Sequence, residues 1–266
     1  MSNLDLYCVT DKELPFLENF SYKLAGVGKN KFNTKYMKCD FGDHIFHKEK
    51  NYSELTFHYW FWKNRLSIEN ENWVGFCQKR RFWIKKESVG KKIEISNFHK
   101  NLLSEAPNEW KNYDAIICEP ISVNKVKKIK MIKRGFRSII KNPEIFFDEK
   151  KQNLLFHFDM HHGYGNLKKA IDLMNIEDKN DFLNFVNTST FFNPHIMFIS
   201  KPKIANAWFN TLFEWLFRCE KVFGLEDLKG YDSQRIYAYL AERYLSFWFS
   251  KHCKTLSWPW ALFDPK

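Results

Sequence analysis

The segment WVGFCQKRR (Trp73–Arg81) decides how this chain is expected to fold. Its first five residues, Trp73–Cys77, are apolar or glycine, and the next four are polar or cationic. A short apolar run bounded by polar residues is typical of a strand buried on both faces. The segment therefore predicts a central strand whose polar end, Gln78–Arg81, lies at an edge of a sheet.

Two other segments have the same order of strand and polar break. Leu4–Val9 precedes the polar residues Thr10–Lys12, and Tyr113–Cys118 precedes Glu119 and Pro120. A first strand that runs into a polar loop is where nucleotide-binding α/β folds often place their first ligand contact. We therefore expect Val9 and Thr10 to contact a bound ligand.

Helical patterns lie between and after these strands. Ser53 is predicted to be the N-cap of a helix that ends near Asn64, with Glu54 in the first turn. Apolar residues recur at helical spacing in three longer segments, Lys125–Lys141, Ile204–Val222 and Ser233–Phe249, and Ile196–Ile199 is a further strand. This alternation indicates an α/β protein with a largely parallel sheet, flanking helices and a helical C-terminal part.

Size and composition narrow the class of protein. A chain of 266 residues is near the limit for one hydrophobic core, so we expect a single domain over residues 1–266. The net charge of +11 favours polyanionic partners, namely nucleic acid, anionic lipid or phosphate-bearing substrates. The six cysteines contain no C-x-x-C pair, and neither a signal peptide nor a membrane-spanning run is evident. We therefore expect a cytoplasmic protein.

Four segments in chain order resemble a known family. They are ELTFHYWFWKN (Glu54–Asn64), VGFCQKRRFW (Val74–Trp83), FNPHIMFISK (Phe192–Lys201) and LAERYLSFWF (Leu240–Phe249). Together they are similar to the glycosyltransferase family of capsular and exopolysaccharide gene clusters, long catalogued as a domain of unknown function. The tract HFDMHHGYGNLKKAI (His157–Ile171) resembles the histidine-containing segment of that family. One departure is that Gln78-Lys79 stands where the family commonly has His-Tyr.

The resemblance implies a GT-A-like, Rossmann-type mixed sheet and a transfer from a nucleotide-sugar. The implied donor is UDP-linked, with galactose or galactofuranose as candidate sugars, and the implied acceptor is a surface polysaccharide or lipid-linked glycan. Residues 1–120 would hold the nucleotide-sugar and residues 121–266 the acceptor. The donor-binding residues implied by motif and position are Val9, Thr10, Asn64, Lys79, Arg80, Arg81, Asn193 and Arg235.

The basic turn Gln78–Arg81 bears on metal dependence. GT-A enzymes usually neutralise the leaving diphosphate with a metal held by an Asp-x-Asp motif, and the turn occupies the equivalent position without a carboxylate. Arginine can clamp phosphate oxygens directly. We therefore expect no metal cofactor, with Mn²⁺ or Mg²⁺ as the alternative.

Inverting transfer also needs a base for the acceptor hydroxyl. The densest group of suitable residues is the tract with His157, Asp159, His161 and His162, which would place three of them on one face if extended. Asp159 is the first candidate for the base, Glu242 is the second, and His162 is expected to assist. Arg235 and Glu242 are seven residues apart on one predicted helix, although an ion pair of Glu242 with Arg243 is an equal alternative. His161 and Trp60 are the expected acceptor contacts.

Other classes of protein fit part of the pattern. The charge and the histidine tract also suit a nucleic-acid-binding protein or a metal-dependent nuclease, and a noncatalytic assembly scaffold is a third reading. Lys125–Lys141 combines lysines with the apolar residues Val126, Ile129, Ile132, Phe136 and Ile139. Such a helix either lies on the inner, anionic face of the plasma membrane or covers the sheet.

Overall fold

The computed structural model describes residues 3–226, 228 and 230–265. Its strands are β1 (Leu4–Thr10), β2 (Lys23–Gly26), β3 (Tyr36–Met37), β4 (Trp73–Gln78), β5 (Arg81–Trp83), β6 (Ala115–Cys118), β7 (Ile121–Ser122), β8 (Phe191–Phe192), β9 (Phe198–Ser200), β10 (Thr255–Trp258) and β11 (Trp260–Leu262). Its helices are α1 (Glu49–Tyr52), α2 (Leu55–Asn64), α3 (Phe98–Asn101), α4 (Lys128–Lys141), α5 (Leu154–His162), α6 (Asn166–Ile171), α7 (Ile176–Thr188), α8 (Pro202–Phe223), α9 (Tyr231–Gln234) and α10 (Ile236–His252).

The chain forms two compact units. The first consists of residues 1–119, 195–211 and 248–266, and the second of residues 120–194 and 212–247. One boundary between the two units falls between residues 119 and 120. Part of the C-terminal half of the chain belongs to the first unit, because β9 and β10 both pair with β6 in its sheet.

The first unit is built on a nine-stranded mixed sheet. Seven strands follow the order β10-β6-β9-β4-β1-β2-β3, and β5 and β11 extend it beside β4. The neighbours on this path are parallel except around β9, which is antiparallel to both β4 and β6. The predicted α/β fold with a mixed sheet and flanking helices is confirmed.

The sheet reverses its strand order at β1. The chain proceeds from β1 through β2 and β3 on one side, and β4 then pairs with β1 on the other side. The register aligns the carboxyl ends of these strands, since Thr10 lies opposite Gly26 and Val9 opposite Gln78. In open α/β sheets, ligands bind outside the carboxyl ends of the strands at such a switch point.

Close packing explains the glycine inside the deciding segment. Gly75 on β4 is flanked by Leu6 on β1 and Ile199 on β9. A Cβ atom at Gly75 would lie 2.5 Å from Cγ1 of Ile199 and 2.6 Å from Cδ2 of Leu6. Only glycine therefore lets these two side chains cover the central strand.

Three local predictions were wrong. Ser53 is not the N-cap of α2, because it has a φ of 52° between α1 and α2 and the cap position is Glu54, which makes no side-chain cap bond. The helix expected from Ser233 is interrupted at Arg235, the residue between α9 and α10. The His157–His162 tract is helical, so its alternate residues do not share an extended face.

His58 on α2 provides a test of the buried core. Its ring lies 4.4 Å from that of Phe76 and 5.9 Å from that of Phe209, and Nδ1 has no hydrogen-bond partner among the described residues. Burial lowers the pKa of His58 to about 3. Below about pH 6.5 the unfolded chain therefore binds a proton that the folded chain excludes. The stability is complete above that pH and falls as the pH drops towards 3.

Between about pH 6.5 and 5, we expect His58→Leu to lose about 2 kcal/mol less of its free energy of unfolding than the parent chain does. Urea unfolding at both pH values measures this change. His47, which is exposed, is the matched control, and His47→Leu should retain the acid dependence of the parent chain. If His58→Leu loses as much unfolding free energy on acidification as the parent chain, His58 is not the group that destabilises the fold in acid.

Candidate active site

A two-residue turn connects β4 to β5 at the switch point. Gln78 and Arg81 pair across this hairpin, which leaves Lys79 and Arg80 at its tip. Arg80 has a φ of 72°, a conformation usually taken by glycine or asparagine at the second position of such turns. Two backbone hydrogen bonds fix this strained turn. Lys79 N–H donates to Val9 O, and Phe263 N–H donates to Arg80 O.

The cations of this turn differ in their partners. Lys79 forms an ion pair with Asp11, and Nη1 of Arg80 lies 3.2 Å from Oδ2 of Asp264. Nε of Arg80 is buried without a hydrogen-bond partner among the described residues. The side chain of Arg81 makes no ion pair in the described part of the chain. Arg80, through its second terminal nitrogen Nη2, and Arg81 therefore retain donors for an anionic ligand.

Two cavities open at this edge of the first unit. One of about 400 Å³ lies beyond β2 and is lined by Gly26, Gly28, Asn30, Lys31, Phe32, Lys38, Cys39, Asp40 and Phe46. The other, of about 280 Å³, is lined by Arg80, Asp264 and residues 12–16, together with Phe263 and Pro265. The first is within the usual size range of small-molecule sites and has two phenylalanines and two lysines in its wall.

Gln78 links the turn to two other segments. Its amide Nε2 donates to Glu54 Oε1 and, over 2.6 Å, to the carbonyl of His195. His195 and Ile196 have φ values of 74° and 51°, and the His195 ring lies edge-on to Trp260 at 4.7 Å. Sequence reasoning did not select His195. The only signal was its place after Asn193-Pro194, a pair that marks turns.

Several of the predicted donor and acceptor contacts have hydrogen-bond partners within the protein. Asn64 Nδ2 donates to the carbonyls of Asp43 and Trp60, both over 2.8 Å, and thereby anchors the loop before α1. Trp60 is fully buried and its Nε1 donates to Phe41 O, so the expected stacking of an acceptor sugar on it is not available. Thr10 is buried, and its hydroxyl donates to Lys12 O over 2.5 Å.

In the second unit, α5 and α10 bring a histidine pair to a buried arginine. His157 and His161 are one helical turn apart, with ring centroids 4.7 Å apart. Arg243 donates from Nη2 to His157 Nδ1 over 3.1 Å and from Nη1 to Glu242 Oε2 over 2.6 Å. Its Cζ lies 3.7 Å from the centre of the Phe192 ring. The ion pair of Glu242 with Arg243 that the sequence left as an alternative is therefore present.

Burial and nearby cations keep these histidines neutral. Burial, with Arg243 as the next cause, lowers the pKa of His157 to about 2 and that of His162 to about 3. Burial followed by Lys130 and Arg134 lowers the pKa of His161 to about 4. Neutral imidazoles beside a buried arginine accept protons poorly, so these histidines are weak candidates for a general base.

Asp159 faces away from this group. It accepts from Ser138 Oγ over 3.3 Å and from the backbone N–H of Gly165 over 2.9 Å, which joins α4 to the turn after α5. Burial raises the pKa of Asp159. Glu242 is instead held by Arg243 with 14% of its side chain exposed. The geometry of the second unit therefore favours Glu242 over Asp159 as the candidate for the general base.

The remaining predicted residues have defined positions. His162 stacks on Tyr239 at 3.8 Å between centroids and contacts the carbonyl of Asp232 through Nδ1. Asn193 is buried and its N–H donates to Ser246 Oγ over 2.7 Å. Among the described residues, no three histidine, cysteine or carboxylate side chains converge as a metal site requires. Independence of metal stays a prediction.

Comparison with solved structures shows what this fold is similar to. A chain described as WbbM, a bifunctional glycosyltransferase in its apo form, superposes with a TM-score of 0.76 at 19% sequence identity. The superposition covers 99% of this chain and 46% of that chain, so this chain spans about half the length of WbbM. At this identity the similarity establishes a shared fold.

Sequence comparisons complete the assignment. No curated protein matches this chain. A family model described as a domain of unknown function, DUF4422, matches residues 5–253. The match covers nearly the whole sequence and confirms the resemblance inferred from the four motifs. The chain therefore belongs to the DUF4422 family.

Proposed function

We propose that this protein transfers a sugar from a nucleoside-diphosphate donor, UDP-linked, to a glycan or lipid-linked acceptor in the cytoplasm. The observation that carries the proposal is the edge of the first sheet, where the switch point, the Lys79–Arg80 turn and a cavity of about 400 Å³ occur together. All six cysteines lie among the described residues and none is disulfide bonded, which suits a reducing compartment.

The groups at this edge match the parts of a nucleotide-sugar. The cavity beyond β2 combines the Phe32 ring, which can pack against a flat base, with polar side chains that can bind its edges. The guanidinium groups of Arg80 and Arg81 supply the charge-assisted hydrogen bonds that a diphosphate needs. Galactose and galactofuranose remain the candidate sugars by family resemblance.

A nuclease is less well supported by the same geometry. Its metal site would need His157, Asp159, His161 and His162 to converge. Asp159 is instead engaged with Ser138 and Gly165, and Arg134 and Arg243 donate to the Nδ1 atoms of His161 and His157. The transferase therefore accounts for more of the structure.

Thermal-shift measurements test the donor class. We expect UDP to raise the melting temperature both with and without EDTA, because the turn presents cations rather than carboxylates to the diphosphate. A ligand at about 100 times its dissociation constant adds roughly 2.7 kcal/mol. Stabilisation that requires Mn²⁺ or Mg²⁺ would contradict the metal-free mechanism, and no response to any nucleoside diphosphate would contradict the donor assignment.

Substitutions in the turn test the role of the cations. Arg80→Ala and Arg81→Ala should weaken donor use by about 1.5–3 kcal/mol each, and Lys79→Ala by less, because a guanidinium can bind two phosphate oxygens at once whereas the ammonium of lysine is a single point charge. Arg80→Gly is the matched control for backbone strain. It should lose donor affinity as Arg80→Ala does, yet unfold at higher urea concentration than Arg80→Ala, since glycine accepts a φ of 72°. Unchanged kinetics in both arginine variants would make the turn ordinary surface.

A further inference from the structure

Helix α4 in the second unit has one packed face and one open face. Met131, Gly135 and Ser138 form the packed face, against α5. The contact at Gly135 is close, because a Cβ atom there would lie 2.6 Å from Cε2 of Phe156 and 3.1 Å from Cγ of Met160. The glycine that weakens this helix in isolation thus allows α4 to pack closely on α5.

The open face carries an uncovered apolar row. Ile129, Ile132, Phe136 and Ile140 follow one another at intervals of three or four residues and are 70%, 52%, 57% and 63% exposed. Phe147, just beyond the helix, is 81% exposed. The row differs from the stripe expected from the sequence, because Val126 and Ile139 pack on the core cluster of Met131, Ile145, Phe156 and Met160.

Positive charge surrounds this row. Residues 125–141 contain no aspartate or glutamate, and eight of these seventeen residues are lysine or arginine. Lys130, Lys133 and Arg137 form no ion pair with any described residue. Arg134, by contrast, is 3.6 Å from Asp232, and Lys128 and Lys141 lie over the rings of Phe146 and Tyr164. Lys130, Lys133 and Arg137, which no described carboxylate compensates, lie on the helix that carries the apolar row.

We propose that α4 docks this protein on the surface of an anionic lipid bilayer. A helix with exposed isoleucine and phenylalanine on one stripe and lysine or arginine beside it can bury the stripe at the acyl boundary and place the cations among the headgroups. A second copy of the chain is a poorer occupant, because two segments with only positive charge repel each other. Within the residues that the structure describes, no helix is both long and apolar enough to span a membrane.

Vesicle flotation tests the proposal directly. The full chain should float with phosphatidylcholine vesicles that contain phosphatidylglycerol, should remain below pure phosphatidylcholine vesicles, and should be released by added salt. Ile132→Asn with Phe136→Asn, and separately Lys133→Glu with Arg137→Glu, should each lower the partition coefficient by roughly tenfold or more. The matched controls are Ile176→Asn and Lys91→Glu, exposed residues outside the row, and these should float like the parent chain.

Circular dichroism and the UDP thermal shift accompany each variant. Loss of flotation with an intact fold and an intact UDP response supports the docking surface, whether or not the chain transfers sugars. Equal recovery from neutral and anionic vesicles, no recovery from either, or unchanged flotation of both double variants would overturn the proposal. Concentration-dependent dimerisation that Phe136→Asn abolishes would also overturn it and assign the row to self-association.

Discussion

Replacing Glu242 with glutamine is expected to lower turnover by about 10²–10⁴-fold and to leave the affinity for UDP unchanged. The carboxylate of Glu242 is positioned by Arg243, whose other terminal nitrogen donates to His157. The amide keeps the volume of the side chain but accepts no proton. A group that removes the proton of an acceptor hydroxyl should therefore affect the chemical step and not nucleotide binding.

Asp159→Asn is the matched comparison for this prediction. Both oxygens of Asp159 accept hydrogen bonds from Ser138 and Gly165, so the amide should alter the stability of the α4–α5 region more than turnover. Steady-state kinetics, with UDP affinity measured by calorimetry, separate the two variants. Full turnover in Glu242→Gln together with a large loss in Asp159→Asn would reverse our assignment, and full turnover in both would place the base elsewhere.

Replacing Arg243 with methionine is expected to lower the free energy of unfolding by about 3–5 kcal/mol. The Arg243 side chain is 2% exposed and pairs with Glu242, which is 14% exposed. Methionine fills a similar volume but removes the cation that pairs with a largely buried carboxylate. His157 Nδ1 also loses its donor, and the Phe192 ring loses the guanidinium that lies against it.

Two controls separate the buried pair from a general effect of losing a charge. Lys168→Met breaks the exposed pair with Asp172 and should cost about 0.5 kcal/mol or less. Adding Glu242→Leu to Arg243→Met should restore much of the lost stability, because both charges are then absent. Urea unfolding of the single and double variants measures the coupling. Equal effects of Arg243→Met and Lys168→Met would contradict a structural role for the buried pair.

The sequence predicted those features of the first unit that depend on neighbours along the chain. The mainly apolar segments Leu4–Val9, Trp73–Cys77 and Tyr113–Cys118 each overlap a strand of the sheet, because a mainly apolar segment is most stable when covered on both faces. The four motifs in order identified the family. The cationic turn was also evident, since Gln78–Arg81 directly follows a buried strand.

Local patterns were less informative about the environment of single side chains. Trp60 was expected to stack on a sugar, yet its position on the helix places it in the core. Whether an aromatic residue is buried or exposed depends on which segments pack against it. The histidine tract gave no sign that Asp159 would bond to Ser138 on another helix. The sequence likewise gave no sign that Arg243 is buried, because arginine is rarely inside a protein.

The sequence by itself thus determined the class of fold, the family and the basic character of the turn and of α4. Only the tertiary structure placed Thr10, Gly26 and Gln78, each at the carboxyl end of its strand, at one edge of the sheet. Only the tertiary structure brought Arg243 into hydrogen bonds with both Glu242 and His157. It also decided that the apolar row of α4 is open to solvent. The physical reason is that strand and helix patterns arise from periodicity within one segment. Partners, burial and pKa arise from contacts between segments far apart in the chain, which no single segment encodes.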